Sequence, residues 1–166
     1  EGGSIVQAGS GTTTLAVGGL MNNNAGTIAS NGPIAATAGS MSNQGGTLQA
    51  AGSSDLSLVV ASQLDNSAGG KILAGGNTTV AAGSLNNNAG SATAVGDLTA
   101  TIGGAATNVG GTLAANGNTT LVAGTLDNSG GTAAAVTGNL SVTTTGATVN
   151  NGGTLEAGGV TTLVNG

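Results

Sequence analysis

The sequence predicts an all-β fold, a parallel β-helix (β-solenoid) of roughly seven to eight coils, with about 21 residues and three short strands per coil. Three observations predict it. An asparagine followed by a pair of small residues returns seven times, every 20 to 23 residues. Short runs with period-two alternation of apolar residues return in phase with it. Glycine occupies 34 of 166 positions, about one in five, which a helix would not tolerate. A fixed period this short means that each repeat is one coil stacked on the next.

The anchors are Asn23, Asn43, Asn66, Asn87, Asn108, Asn128 and Asn150. The pairs behind them run from Ala25-Gly26 and Gly45-Gly46 through Gly69-Gly70 and Ala89-Gly90 to Gly110-Gly111, Gly130-Gly131 and Gly152-Gly153. Gly2-Gly3 falls in the same phase, so residues 1–166 read as a single repeat segment, an internal excerpt of a longer shaft without caps.

Three strand-like runs fill each coil. One follows the small pair, as in Thr47-Leu48-Gln49-Ala50 and Thr112-Leu113-Ala114-Ala115. A second follows a Gly-Asn or Gly-Asp turn, as in Leu98-Thr99-Ala100 and Leu140-Ser141-Val142. The third leads into the anchor, as in Leu64-Asp65-Asn66 and Leu126-Asp127-Asn128. Turn formers divide the runs, which is the strand signature. A helix fails because each interior glycine costs about 1 kcal/mol relative to alanine. Three strands per turn predict three parallel sheets around a narrow core, a rod about 35 Å long at about 4.8 Å per coil.

Inward rows follow from the alternation: Leu48, Ile72, Leu113 and Leu155; Leu64, Leu85 and Leu126; Leu56, Leu98 and Leu140. Each buried aliphatic side chain contributes roughly 1.5–3 kcal/mol, and only stacking buries it. Ala92, Ala106 and Ala133 stand where other coils carry larger residues and predict locally thinner packing. A core this thin has little room for rings, in keeping with a chain without aromatic residues. The anchor asparagines are read as a structural ladder on the inside or rim of one corner. Asparagine tolerates left-handed backbone at a bend, and its amide can bond to the amide one coil away. The glycines of these pairs permit positive φ and close approach of coils.

Composition removes several function classes. Lys71 is the only basic residue against six acidic ones, so no phosphate backbone can be neutralised and nucleic-acid binding is excluded. No run approaches the ~20 apolar residues of a spanning helix, so no membrane insertion is expected. The start, Glu1-Gly2-Gly3, lacks the basic and apolar regions of a signal peptide. Absence of cysteine is compatible with an exported protein.

With these residues in hand, the chain resembles the repeat region of filamentous haemagglutinin-type exoproteins, giant bacterial proteins exported by two-partner secretion. The segment Gly124-Thr125-Leu126-Asp127-Asn128-Ser129-Gly130-Gly131 matches the first half of that repeat. Gly110-Gly111-Thr112-Leu113-Ala114-Ala115 and Gly138-Asn139-Leu140-Ser141-Val142 match the remainder. Thr148 and Ala106 depart from it in place of the leucine before the anchor, and Ala68 inserts a residue. The resemblance implies a right-handed β-helix shaft on the bacterial cell surface or secreted, acting in adhesion or display. It implies an outer-membrane transporter partner during export, and a host-cell or bacterial-cell surface receptor for the parent protein. Some relatives carry a toxin at the far C-terminus, so a toxin-delivery stalk is the alternative.

Chemistry is sparse. Asp65 and Asp127 are equivalent positions three coils apart, about 14 Å at strand spacing, too far to share a metal or a proton. Asp55 and Asp97 read as solvated turn residues two coils apart. The Gly-Gly steps lack the aspartate of calcium-binding β-rolls, and Gly70-Lys71 runs into Ile72, so there is no phosphate loop. Without His, Arg or aromatic residues an enzyme is not expected, and no catalytic residue, cofactor or metal is assigned. Ice binding through outward threonines is a rival, with Thr99 and Thr101 suitably spaced but the array broken in most other coils. Exposed end coils are open strand edges, which predicts end-to-end self-association of the isolated segment.

Overall fold

The structure is a computed structural model and describes residues 2–166; Glu1 lies outside the described residues. Every element is a β-strand, and all strand pairs are parallel. Each coil contributes one short strand to the first sheet. Ser4–Gln7, Thr27–Ser30, Thr47–Ala50, Lys71–Ala74, Ser91–Ala94, Thr112–Ala115, Thr132–Ala135 and Thr154–Ala157 stack in that order. The second sheet stacks longer strands, beginning with Thr13–Asn22 and Ile34–Ser42 and ending with Leu140–Thr144 and Thr161–Asn165.

Three runs per coil are present, but the second and third form one continuous bent strand in most coils, so there are two sheets rather than three. The bend is a register irregularity at the corner. Strands such as Leu98–Thr107 hold two residues there, Gly103-Gly104, opposite the single Gly83 or Gly124 of their neighbours. Thr13–Asn22 and Leu56–Asp65 do the same opposite Gly39 and Gly83. One strand carrying an extra residue against its partner is a β-bulge, and it turns the strand. In the coil from Leu140 the bend interrupts the strand, and Thr148–Val149 pairs separately with Leu126 and Asp127. Three short strands are then distinct.

The core is the thin space between the sheets. Leu48, Leu56, Leu64, Ile72, Leu98, Leu113 and Leu140 are buried in it. Leu155, in the last complete coil, is half-buried and packs against the cluster. The row of Leu56, Leu98 and Leu140 is interleaved with Thr78 and Thr119 at the same register. Both hydroxyls cross the core to backbone carbonyls of the first sheet, Thr78 to Thr93 at 3.2 Å and Thr119 to Ala134 at 2.5 Å. A buried hydroxyl without such a partner would cost roughly 1–3 kcal/mol. Ala106 is flanked in register by Leu85 and Leu126, and a void of about 10 Å³ opens beside it, lined also by Leu113 and Leu121.

Candidate functional site

The seven anchor asparagines stand in one column at the corner where the bent strand ends. Asn43, Asn66, Asn87, Asn108 and Asn128 are fully buried, Asn23 is buried, and Asn150 is half-buried. Each Nδ2 donates to the Oδ1 of the next anchor, from Asn23 to Asn43 through to Asn128 to Asn150, and all six bonds are 2.7 Å long. The same amide donates to a carbonyl in the following coil, for example Asn87 to Thr112 at 3.0 Å and Asn108 to Thr132 at 3.1 Å. It also reaches back across its own turn, Asn108 to Gly111 at 3.2 Å. No buried side-chain nitrogen or oxygen lacks a partner among the described residues. A satisfied polar column in a low-dielectric interior fixes the coils' register, because any slip leaves every amide unpaired.

The anchor itself is not the left-handed residue, contrary to expectation. Positive φ falls two residues later, at Ala25 (51°), Gly45 (60°), Ala89 (53°), Gly110 (61°), Gly130 (61°) and Gly152 (63°). In the lengthened turn after Asn66, both Ala68 (55°) and Gly69 (83°) adopt it. The second member of each pair has a different constraint. A Cβ on Gly111 would fall 2.5 Å from Asn108 Oδ1 and closer still to the Asn87 carbonyl oxygen. The small pair therefore joins one conformational requirement to one steric requirement.

A second column runs outside, at the turn entering the bent strand. Asp55 Oδ1 accepts the backbone N–H of Asn77 at 2.7 Å, Asn77 that of Asp97 at 2.8 Å, and Asp97 that of Asn118 at 2.7 Å. Asn118 accepts the N–H of Asn139 at 3.0 Å, and Asn139 that of Val160 at 2.8 Å. Asp55 and Asp97 are exposed turn residues, as read from the sequence, and they also cap the coil above. The shared spacing of these five residues was the signal for this role.

Asp65 and Asp127 share a register row, separated by Asn86 and Thr107. Burial pushes the Asp65 carboxyl up, but hydrogen bonds from Ser67 and Gln44 outweigh it and hold the group below the usual aspartate range. The Ser129 hydroxyl and backbone N–H do the same for Asp127. No three His, Cys, Asp or Glu side chains gather among the described residues. A hollow of about 360 Å³ forms the mouth of the first described coil, walled by Ile5, Leu15 and Met21 with no titratable side chain among the described residues.

On the outer face of the bent strands, Thr14, Ala35, Ser57, Thr79, Thr99, Thr120, Ser141 and Thr162 form a column. The neighbouring column alternates less regularly, with hydroxyls only at Thr37, Thr101 and Thr143 among Ala16, Val59, Ala81, Val122 and Val164. A two-dimensional hydroxyl array of the kind that would order an ice surface is not formed.

This is a β-solenoid whose residues of interest hold coils to one another. The haemagglutinin repeat model matches the chain at residues 6–68, 55–110, 93–147 and 133–166, and the chain belongs to the haemagglutinin repeat family. That repeat is a structural, non-enzymatic type, typical of secreted or surface exoproteins and of adhesin-like stalks. No curated protein and no solved structure matches the chain.

Proposed function

We propose that this segment is part of the shaft of a bacterial surface or secreted adhesin of the two-partner-secreted kind. It holds a distal binding module away from the cell, and its action is mechanical. The observation that carries this reading is the unbroken amide column from Asn23 to Asn150, which ties seven consecutive coils in one register. Family membership supports the location and the stalk role. Residues 1–166 are taken as one β-helix segment within a longer shaft, with neighbouring repeats covering the apolar coil ends and an outer-membrane transporter as partner during export. A receptor on a host or bacterial cell belongs to the distal module rather than to these coils.

The test has two arms. Spin or fluorescence labels placed on coils at the two ends should report one narrow distance that grows by about 4.8 Å per inserted coil. A broad distribution would overturn the rigid-shaft reading. The isolated segment should show no saturable binding to host or bacterial cells, and saturable binding would make the coils themselves adhesive. Toxin delivery by the parent protein is the second reading, favoured by the same family; a nuclease-like or pore-forming module encoded downstream would establish it.

A further inference from the structure

We infer that Asn77, Asn118 and Asn139 are acceptor sites for covalent attachment of sugar through their side-chain nitrogens. Asn77-Thr78-Thr79, Asn118-Thr119-Thr120 and Asn139-Leu140-Ser141 are the chain's three Asn-x-Ser/Thr triplets. All three occupy one position in the coil, the exposed turn of the outer Asp/Asn column.

The geometry leaves the reacting atom free. In each residue the Oδ1 is engaged, accepting a backbone N–H from the coil above. The Nδ2 of Asn77 and that of Asn139 make no hydrogen bond among the described residues, and that of Asn118 makes one long contact of 3.3 Å to Asp97. Attachment at Nδ2 replaces one N–H and keeps the amide oxygen as acceptor, so a sugar is compatible with the cap that holds the turn. The hydroxyl two residues on lies on the outward face of the rod, exposed at Thr79 and half-exposed at Thr120 and Ser141, where a transferase can reach both groups. The buried anchors do not form this triplet. Their positions two residues on adopt positive φ and are held by Ala or Gly, which β-branched threonine fits poorly.

The reaction needs a glycosyl donor activated as a phosphate ester, nucleotide-linked or lipid-linked, and a transferase. The bond from the sugar's C1 to the phosphate oxygen breaks, an Nδ2–C1 bond forms, the Nδ2 proton passes to a base of the transferase, and the phosphate leaves with its carrier. The inference goes beyond the shaft role and does not depend on it.

Peptide mass mapping of the protein isolated from its native cells is the test. Mass increments of sugar are expected on Asn77, Asn118 and Asn139, as one or a few monosaccharides from a nucleotide-linked donor or as one preassembled block from a lipid-linked donor. Unmodified peptides at all three positions, or sugar confined to other residues, would overturn the inference. Thr79→Ala, Thr120→Ala and Ser141→Ala should each abolish the increment on the asparagine two residues before, with the melting temperature unchanged. Retained modification in those variants would also overturn it.

Discussion

Asn87 donates its side-chain amide to Asn108 Oδ1 at 2.7 Å, at a depth where neither side chain meets solvent. Replacing Asn108 with leucine removes an acceptor from Asn87 and a donor from Asn128 at once. Unpaired buried polar groups cost roughly 1–3 kcal/mol each, so Asn108→Leu should destabilise by about 3–5 kcal/mol. Asn116 is exposed, and only its backbone is bonded, to Ala94 and Thr137. Asn116→Leu should stay within about 0.5 kcal/mol of the parent. Thermal melts of the two variants decide the matter, and equal shifts would mean that the column adds nothing to stability.

Acid should weaken the rod through Asp65 and Asp127. Both carboxyls sit below their ordinary range in the folded chain. A depressed folded value means that the stabilisation is complete above the unfolded pKa of about 3.9 and is lost as pH falls through the lower folded value. Melting temperature should therefore hold from neutral pH to about 5 and drop below about 4. In an Asp65→Asn, Asp127→Asn double variant, each amide oxygen can still accept from Ser67 or Ser129, and the drop should be shallower. An unchanged acid limb would assign the loss to other groups.

Much of this was legible in the sequence because coil, row and anchor all follow one period. Leu48, Ile72 and Leu113 stand in one inward row, and the seven anchors form one column, since a parallel stack repeats each environment at each turn. What escaped was set within a single coil. The positive φ at Ala25 and Ala89 depends on how the turn closes, and alanine gives no signal for it. Thr78 and Thr119 fall in register with the inward Leu56, Leu98 and Leu140, and the period alone does not show that their hydroxyls satisfy carbonyls across the core. Fusion of the second and third runs depends on the one- or two-residue corner, where Gly124 and Gly103-Gly104 look alike as turn formers.

Ala106 offers a test of packing. It sits between Leu85 and Leu126 in a row that also carries Met21, Met41, Leu64 and Thr148, beside an apolar void. A dry cavity forfeits contacts on its lining. Ala106→Leu should raise stability by about 1 kcal/mol, read as a higher midpoint of denaturant unfolding with the same slope. A fall would show that the bent strand closes over the alanine and that leucine overpacks the site.

The adjacent glycines Gly110 and Gly111 should respond differently to the same substitution. Gly110 has φ of 61°, and nothing lies within 4 Å of the place a methyl group would take, so alanine there meets only the left-handed penalty of about 1–2 kcal/mol. Ala25 and Ala89 already carry that penalty at equivalent places. Gly111 has an ordinary φ, but its Cβ would press on Asn108 Oδ1 at 2.5 Å and on the Asn87 carbonyl. Both oxygens belong to the buried corner, so relief requires the coils to separate and the amide column to stretch. Gly111→Ala should cost about 3 kcal/mol or more, while Gly110→Ala costs about 1. Ala89→Gly should shift stability slightly upward, because relief of the left-handed strain exceeds the entropy glycine adds to the unfolded chain. Denaturant melts of the three variants give the order directly. Equal losses at Gly110 and Gly111 would mean that the turn yields as a unit and that the close approach of coils at Gly111 does not constrain the sequence.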